Sequence, residues 1–433
     1  MSATTQQIPR GTGQAGEELE SMAQAVTERF MATRCRTIEL CAPLTPEDMM
    51  VQSCPEASPA KWHLAHTTWF FESFILREFL PSYRPFNEDF SWLFNSYYQS
   101  FSAFPEKRLR ASFSRPGLEE VLRYREHVDH AIELLLERNP VAEVLERIVL
   151  GANHEEQHQE LLLTDILHAF FSNPLRPAYR NDPAWVHPAA TAGGKGLEWM
   201  SFAGGLSEFG HSGEGFCFDN ELARHRVWLE PYKLSSRQVT CGEFAEFIED
   251  RGYERPELWL SSGWDAVKAN GWKAPLYWSQ REEGWSVFTL RGEFSLDELE
   301  DFPVSQVSYF EADAYARWKG MRLPTEFEWE AAAASAQIEG NLLDSGNLMP
   351  VAAGEEPRLF GDCWQWTASA YLAYPGFSSL PGALGEYNGK FMSGQMVLRG
   401  GSCVTPAAHI RASYRNFFAP ETRWQFSGIR LAG

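Results

Sequence analysis

No run of apolar residues in this chain is long enough to serve as a signal-peptide core or to span a membrane. The opening, MSATTQQIPRGTGQAGEE, is small and polar, and disorder is expected over residues 1–18. The seven cysteines are an odd number and none sits in a CxxC pair, which excludes a disulfide framework and points to a reducing, cytoplasmic setting. Positive charge is scarce: 38 Lys+Arg stand against 58 Asp+Glu, a net charge of −20. Such a field repels phosphate backbones and anionic lipid, so neither nucleic acid nor membrane is expected as a partner. Internal repeats, low-complexity segments and a Gly-rich nucleotide-binding stretch are also missing. What is abundant is aromatic surface, 14% of the chain with 16 Trp, which implies a loop-rich region packed by rings. With 433 residues, 44% hydrophobic and 22% charged, the chain has the length and composition of two or three globular domains.

Four amphipathic helices are predicted in the first part. Ser21 to Leu40 places Met22, Val26, Phe30 and Ile38 at helical spacing, ahead of Pro43. A second helix is expected from Pro59, with Ser58 as its N-cap, through KWHLAHTTWFFESFILREFL to Pro81. Leu118 to Arg138 and a run starting near Pro140 supply the third and fourth, and a long connection, 82–116, separates the second from the third. This reads as a four-helix bundle over residues 19–175. The Pro-rich stretch 176–197 reads as a linker. From 198 to 433 the texture changes to short strand-like runs (His225–Leu229, Val304–Val307, Met396–Leu398) among Gly, Pro and Trp, with helices expected at Cys241–Arg251 and Phe310–Lys319.

The fourth helix carries HEEQH, in which His154 and His158 stand four residues apart and project from one face. Imidazole nitrogen suits Zn, Fe, Ni or Cu, and bundles build metal sites from facing helices. The second helix offers His63 or His66 in WHLAH as a third ligand. Three protein ligands leave coordination positions open, the pattern of a catalytic metal. The spacing points to a metal without naming one. Tyr97 and Tyr98, in WLFNSYYQSF of the long connection, offer either aromatic packing or a proton donor.

From Glu198 onward several long motifs run in order: EWMSFAGGLSEFG, FDNELARHRVWLEPYKLSSRQVTCGEFAEFI, PVSQVSYFEADAYARWKGMRLPTEFEWEAAA, GDCWQWTAS, LRGGSC and GIRLA. They resemble the sulfatase-modifying-factor fold, a C-type-lectin-like variant used by formylglycine-generating enzymes. The stretch HIRASYRNFFAPETRWQFSG holds no cysteine where those enzymes carry catalytic ones, which disfavours sulfatase maturation. The N-terminal part resembles a DinB-like bundle. Together the two resemble the ergothioneine-biosynthetic sulfoxide synthases, the hercynine oxygenases, across residues 20–433.

That resemblance implies an α + (α+β) chain, a DinB-like four-helix bundle followed by a sulfatase-modifying-factor domain. It implies an Fe(II) cofactor on His66, His154 and His158, with His63 outside the ligand set, and O2 as co-substrate. The family joins a thiol to C2 of the imidazole of hercynine, N-α-trimethylhistidine, and oxidises the sulfur to a sulfoxide. Gln157 matches a glutamine that contacts the betaine, Tyr387 and Asn416 match further contacts, and the segment Arg415, Asn416, Phe417, Phe418 matches the substrate-pocket stretch.

Two departures from the actinobacterial pattern carry information. Leu384 replaces a tyrosine that assists catalysis there, and Tyr97 or Tyr98 resembles the alternative proton donor. Phe418 and Thr422 stand where the γ-glutamylcysteine-using type has an aspartate and an arginine, which implies free L-cysteine as the thiol. Arg108 is the expected partner of the cysteine carboxylate. Rival readings are an ovothiol-type histidine–cysteine sulfoxide synthase, a lectin-like binding protein without catalysis, and a DinB-like thiol transferase. Oligomeric state and any structural calcium stay open.

Overall fold

The structure, a computed structural model, describes residues 12–96, 98–138, 140–188, 196–213, 215–386 and 388–433. Its contacts divide the chain into two compact units. One comprises Met1–Met50, Ser58–Ser96 and Ser102–His158; the other comprises Val51–Ala57, Tyr97–Phe101 and Gln159–Gly433. The boundary falls inside a helix, between His158 and Gln159, upstream of the Pro-rich stretch. No helix among the described residues is long and apolar enough to cross a membrane.

The second unit is mixed α and β. Antiparallel pairs join Trp199–Phe202 to Tyr232–Ser235 and Gly205–Phe209 to His225–Leu229. A four-stranded sheet runs in the order Asn416–Phe418, Met396–Arg399, Trp364–Ala370, Ser427–Gly428, the last pair parallel. Helices Cys241–Glu249, Tyr309–Trp318 and Glu326–Ala333 each begin with a capping box, Thr240/Glu243, Ser308/Glu311 and Thr325/Glu328. That S/T-x-x-E pattern is visible in the sequence and satisfies two otherwise orphaned N–H groups per helix. The run Val304–Val307, expected as a strand, is buried loop: Gln306 adopts φ +56° and breaks the extended conformation. Its two valines are explained by burial alone, since Val304 and Val307 are both fully enclosed. The core of this unit also holds buried charge. Arg399, wholly buried, donates to Glu326, Glu330 and Tyr374 at 2.9–3.0 Å, and Arg415 shares Glu326.

The first unit is helical. Its long helices are α1 (Thr12–Cys41), α2 (Ala60–Phe71), α3 (Leu118–Leu136) and α4 (Ala142–Ser172), the last continuing into the second unit. All 12 residues of α2 are buried, so it is the central helix and turns no face to solvent. It extends through a π-turn, Glu72–Leu76, and a last turn, Arg77–Phe79, before Pro81. α3 buries Val121, Tyr124, Val128, Ile132 and Leu135 at three-to-four-residue spacing. Ser58 does not cap α2; its hydroxyl accepts from Arg110 Nη1 at 2.7 Å. The start of α2 is held instead by Lys61, whose ammonium donates to the carbonyls of Phe113, Ser114 and Pro116 at 3.3, 3.2 and 2.8 Å.

Three of the helices meet at Glu155, which has no solvent exposure, and Arg34 ties in the fourth. Its carboxylate accepts from Thr37 Oγ1 at 2.6 Å and Arg34 Nη1 at 2.8 Å, both on α1, and from Arg125 on α3. Arg34 also donates to Asp129 on α3 at 2.6 Å and to Thr68 on α2 at 3.0 Å. Burial alone would push the Glu155 carboxyl up, but Arg125 and Arg34 outweigh it and hold the group down at about 2.

One turn away, Gly151 lets α2 and α4 close together. A Cβ there would lie 2.5 Å from Phe71 Cε1, and Phe71 is itself fully buried edge-on against Phe30 at 5.1 Å. In a free helix Gly→Ala gains about 1 kcal/mol, whereas overpacking a filled core costs roughly 1–3 kcal/mol. Gly151→Ala is therefore expected to lower the stability measured by urea unfolding. A more stable variant would contradict the close approach.

Candidate metal centre

Trp62, His66 and Trp69 recur at four- and three-residue spacing on α2, which places them on one face of that helix. His154 and His158 do the same on α4. The structure brings one ligand nitrogen from each of His66, His154 and His158 within 4.8 Å of the others. Ring centroids are 4.6–5.0 Å apart. His66 and His154 are buried and His158 is half-buried. A triad open on one side gives three nitrogen ligands with room for further coordination.

The hydrogen bonds behind the rings select tautomers. His66 Nδ1 lies 2.6 Å from the Phe94 carbonyl oxygen, which only accepts, so His66 carries its proton on Nδ1. Its Nε2, also buried, has no hydrogen-bond partner among the described residues. A buried lone pair aimed among two other imidazoles fits a metal ligand, and an outer acceptor of this kind accompanies most ligating histidines. His158 Nδ1 is 2.8 Å from His63 Nδ1. Trp62 and Trp69 stack on the His66 ring at 4.4 and 5.4 Å, with interplanar angles of 12° and 15°. The Arg110 guanidinium lies 3.4 Å over Trp62, anchored by Ser58 and by Ser96 at 3.0 Å.

Electrostatics keep the rings neutral. Burial pushes His66 and His158 far below the usual imidazole range, helped by the neighbouring histidines, and brings His154 down to about 3. Neutral imidazoles keep their lone pairs available at pH 7 without proton competition. Three neutral donors also leave the full positive charge of a bound cation in place.

Of the other residues singled out in the sequence, Gln157 is half-buried on α4, directly before His158. Tyr98 is fully buried in the second unit, within Tyr97–Phe101; Tyr97 and Tyr387 lie outside the described residues. Asn416 opens its strand, and its Oδ1 accepts from Phe417 N at 2.9 Å. Phe417 stacks on Tyr371 at 4.0 Å, and Phe418 pairs with Met396 in the sheet register. Arg415 is buried, and each of its guanidinium nitrogens donates to Glu326, the Asn220 carbonyl or the Leu372 carbonyl, so its charge is committed inside the unit. Arg108 is exposed and paired with Glu106 at 2.6 Å. The cation beside the histidines is Arg110, two residues on. Sequence reasoning missed Arg110 and the two stacked indoles; the W-x3-H-x2-W spacing on a helix was the available signal for the indoles.

The sequence matches the DinB superfamily over residues 29–162 and the sulfatase-modifying factor enzyme 1-like domain over residues 189–356 and 357–433. A histidine cluster on a DinB-type bundle, followed by a sulfatase-modifying-factor domain, defines the class. Among curated relatives, the chain is 33% identical over 306 residues to the hercynine oxygenase of Mycobacterium tuberculosis, covering 65% of this chain and 69% of that one. It is 30% identical over 444 residues to the hercynine oxygenase of Mycolicibacterium smegmatis, covering 94% and 98%. The Mycolicibacterium thermoresistibile hercynine oxygenase is 29% identical over 438 residues, covering 94% of each chain. The chain belongs to the hercynine oxygenase family.

A histidine held near 3 in the fold but near 6.5 in the unfolded chain changes stability with pH. Above about 6.5 neither state is protonated and the contribution is complete; as pH falls toward 3 only the unfolded chain takes the proton, so stability is lost. His154→Asn is expected to flatten the pH dependence of metal-free unfolding between about 6.5 and 4 by roughly 1.4 kcal/mol per pH unit. Identical slopes for the two proteins would rule out a neutral buried His154.

Proposed function

We propose that this protein is a non-haem iron(II)-dependent sulfoxide synthase that joins L-cysteine to C2 of the hercynine imidazole, using O2, to give hercynylcysteine sulfoxide in ergothioneine biosynthesis. The observation that carries this reading is the convergence of His66, His154 and His158, in a chain that is 30% identical over 444 residues to a hercynine oxygenase. Iron(II), when bound, supplies a redox-active cation with open positions for thiol, imidazole and O2.

The chain's own residues bind, orient and move protons. The three neutral imidazoles hold the cation without cancelling its charge, which favours deprotonation of the thiol. Gln157 is assigned to the histidine betaine, with Asn416 and Tyr387 as further contacts. The hercynine ammonium has no N–H to donate, so aromatic faces must recognise it; Phe417, stacked on Tyr371, offers one. Tyr98 or Tyr97 is assigned as the proton or hydrogen-bond donor that steers sulfur oxidation. Arg110, held against Trp62 beside His66, supports a role in meeting the cysteine carboxylate better than Arg108, whose charge is spent on Glu106 at the surface. Arg415 acts only through the residues it braces. Thr422 is buried and Phe418 is apolar, so neither supplies the charge a γ-glutamyl group would need.

The test is O2 uptake and product mass after anaerobic loading with Fe(II), given hercynine and either L-cysteine or γ-glutamylcysteine. A cysteine-conjugated sulfoxide is the expected product, and Tyr98→Phe combined with Tyr97→Phe should lower it while iron binding persists. Preference for γ-glutamylcysteine would overturn the reading of Phe418 and Thr422. No product from either thiol would overturn the assignment itself.

A further inference from the structure

His63 is a fourth imidazole in the cluster, outside the ligand set that the family resemblance assigns. It is 3% exposed and sits on α2 one turn before Thr67, whose hydroxyl bonds back to the His63 carbonyl. Its Nδ1 lies 2.8 Å from His158 Nδ1, with ring centroids 5.1 Å apart and planes tilted by 55°. Two ring nitrogens at that distance share one proton, so one ring donates and the other accepts. His66 already displays the first arrangement, with Nδ1–H donated to the Phe94 carbonyl and Nε2 presented to the cluster.

We propose that His63 is a positioning residue: its Nδ1 accepts the Nδ1–H of His158, which fixes the ring orientation of His158 and leaves its Nε2 lone pair for a metal. The proposal rests on the reading that the triad holds a divalent cation. The reverse arrangement, with His63 donating, would put the His158 proton on Nε2 and abolish that lone pair. His158 is also the one triad ring at the half-exposed edge of the cluster, where packing alone restrains it least. The outer acceptor of His66 is a backbone carbonyl; for His158 the same task falls to a side chain, which substitution can remove.

The experiment titrates the metal-free, full-length chain with Co(II) and follows its visible bands, comparing the native protein with His63→Leu and His63→Asn. An Asn amide oxygen takes about the place of the imidazole Nδ1, so it restores the acceptor; Leu fills space without one. Losing an outer-sphere partner of this kind typically weakens metal affinity about 10–100-fold. His63→Leu is expected to show that loss with altered bands, and His63→Asn to bind within about threefold of the native chain. Native affinity and bands in His63→Leu would overturn the proposal, as would an Asn variant as weak as Leu. A native chain that takes up no cobalt would instead overturn the metal reading beneath it. If His63→Leu does not fold, 15N-histidine spectra of the native Zn(II)-loaded chain decide: the proposal requires His158 protonated on Nδ1, and an Nε2–H signal refutes it.

Discussion

Glu155 carries a full charge in a place water does not reach, and the arrangement of the bundle follows from neutralising it. Arg34 and Thr37 reach it from α1 and Arg125 from α3, while Arg34 extends the network to Thr68 on α2. A buried carboxylate left with one partner fewer costs several kcal/mol, so the helices are held in the one arrangement that supplies all of them. Glu155 is also the neighbour of His154. Whatever fixes the rotation of α4 at Glu155 fixes the direction in which His154, and one turn later His158, leave the helix.

The contrast between adjacent residues is instructive. Glu155 is ionised because two guanidiniums face it, whereas His154, equally buried, stays neutral because the groups in its ring cluster are other imidazoles and burial disfavours its charge. Adjacent residues of one helix thus deliver a structural charge to one side and uncharged donor atoms to the other. The stretch of the same helix from Gln159 onward belongs to the second unit and is held within it. Glu160 accepts from Trp364 at 2.5 Å, Ser402 at 3.1 Å and Thr405 at 2.8 Å, residues in or beside the GDCWQWTAS and LRGGSC motifs. Those motifs are easily taken for a family signature alone; here they hold a carboxylate two residues after His158.

Much of this was legible in the sequence, for physical reasons. The first and third long helices announce themselves by apolar spacing, and HEEQH by the geometry of residues four apart. The three capping boxes are written as S/T-x-x-E. Other features were not legible because they depend on what lies opposite. Ser58 looks like a helix cap and is instead a ligand of Arg110, since a side chain from the 82–116 connection reaches it first. Val304–Val307 is a short run with β-branched residues at both ends, like a strand, yet the backbone at Gln306 turns left-handed. The choice between His63 and His66 needed the facing helix, because both sit in the same five-residue motif. Arg108 and Arg110 are alike in sequence, and only an indole ring beside one of them separates surface from site.

The central claim is that His66, His154 and His158 form one iron-binding site. Ferrous iron bound per chain, measured by anaerobic equilibrium dialysis on the native protein and on His154→Asn, tests it most directly. The account predicts one iron per native chain and none retained by the variant. Undiminished iron on the variant, or none on the native chain, would contradict it.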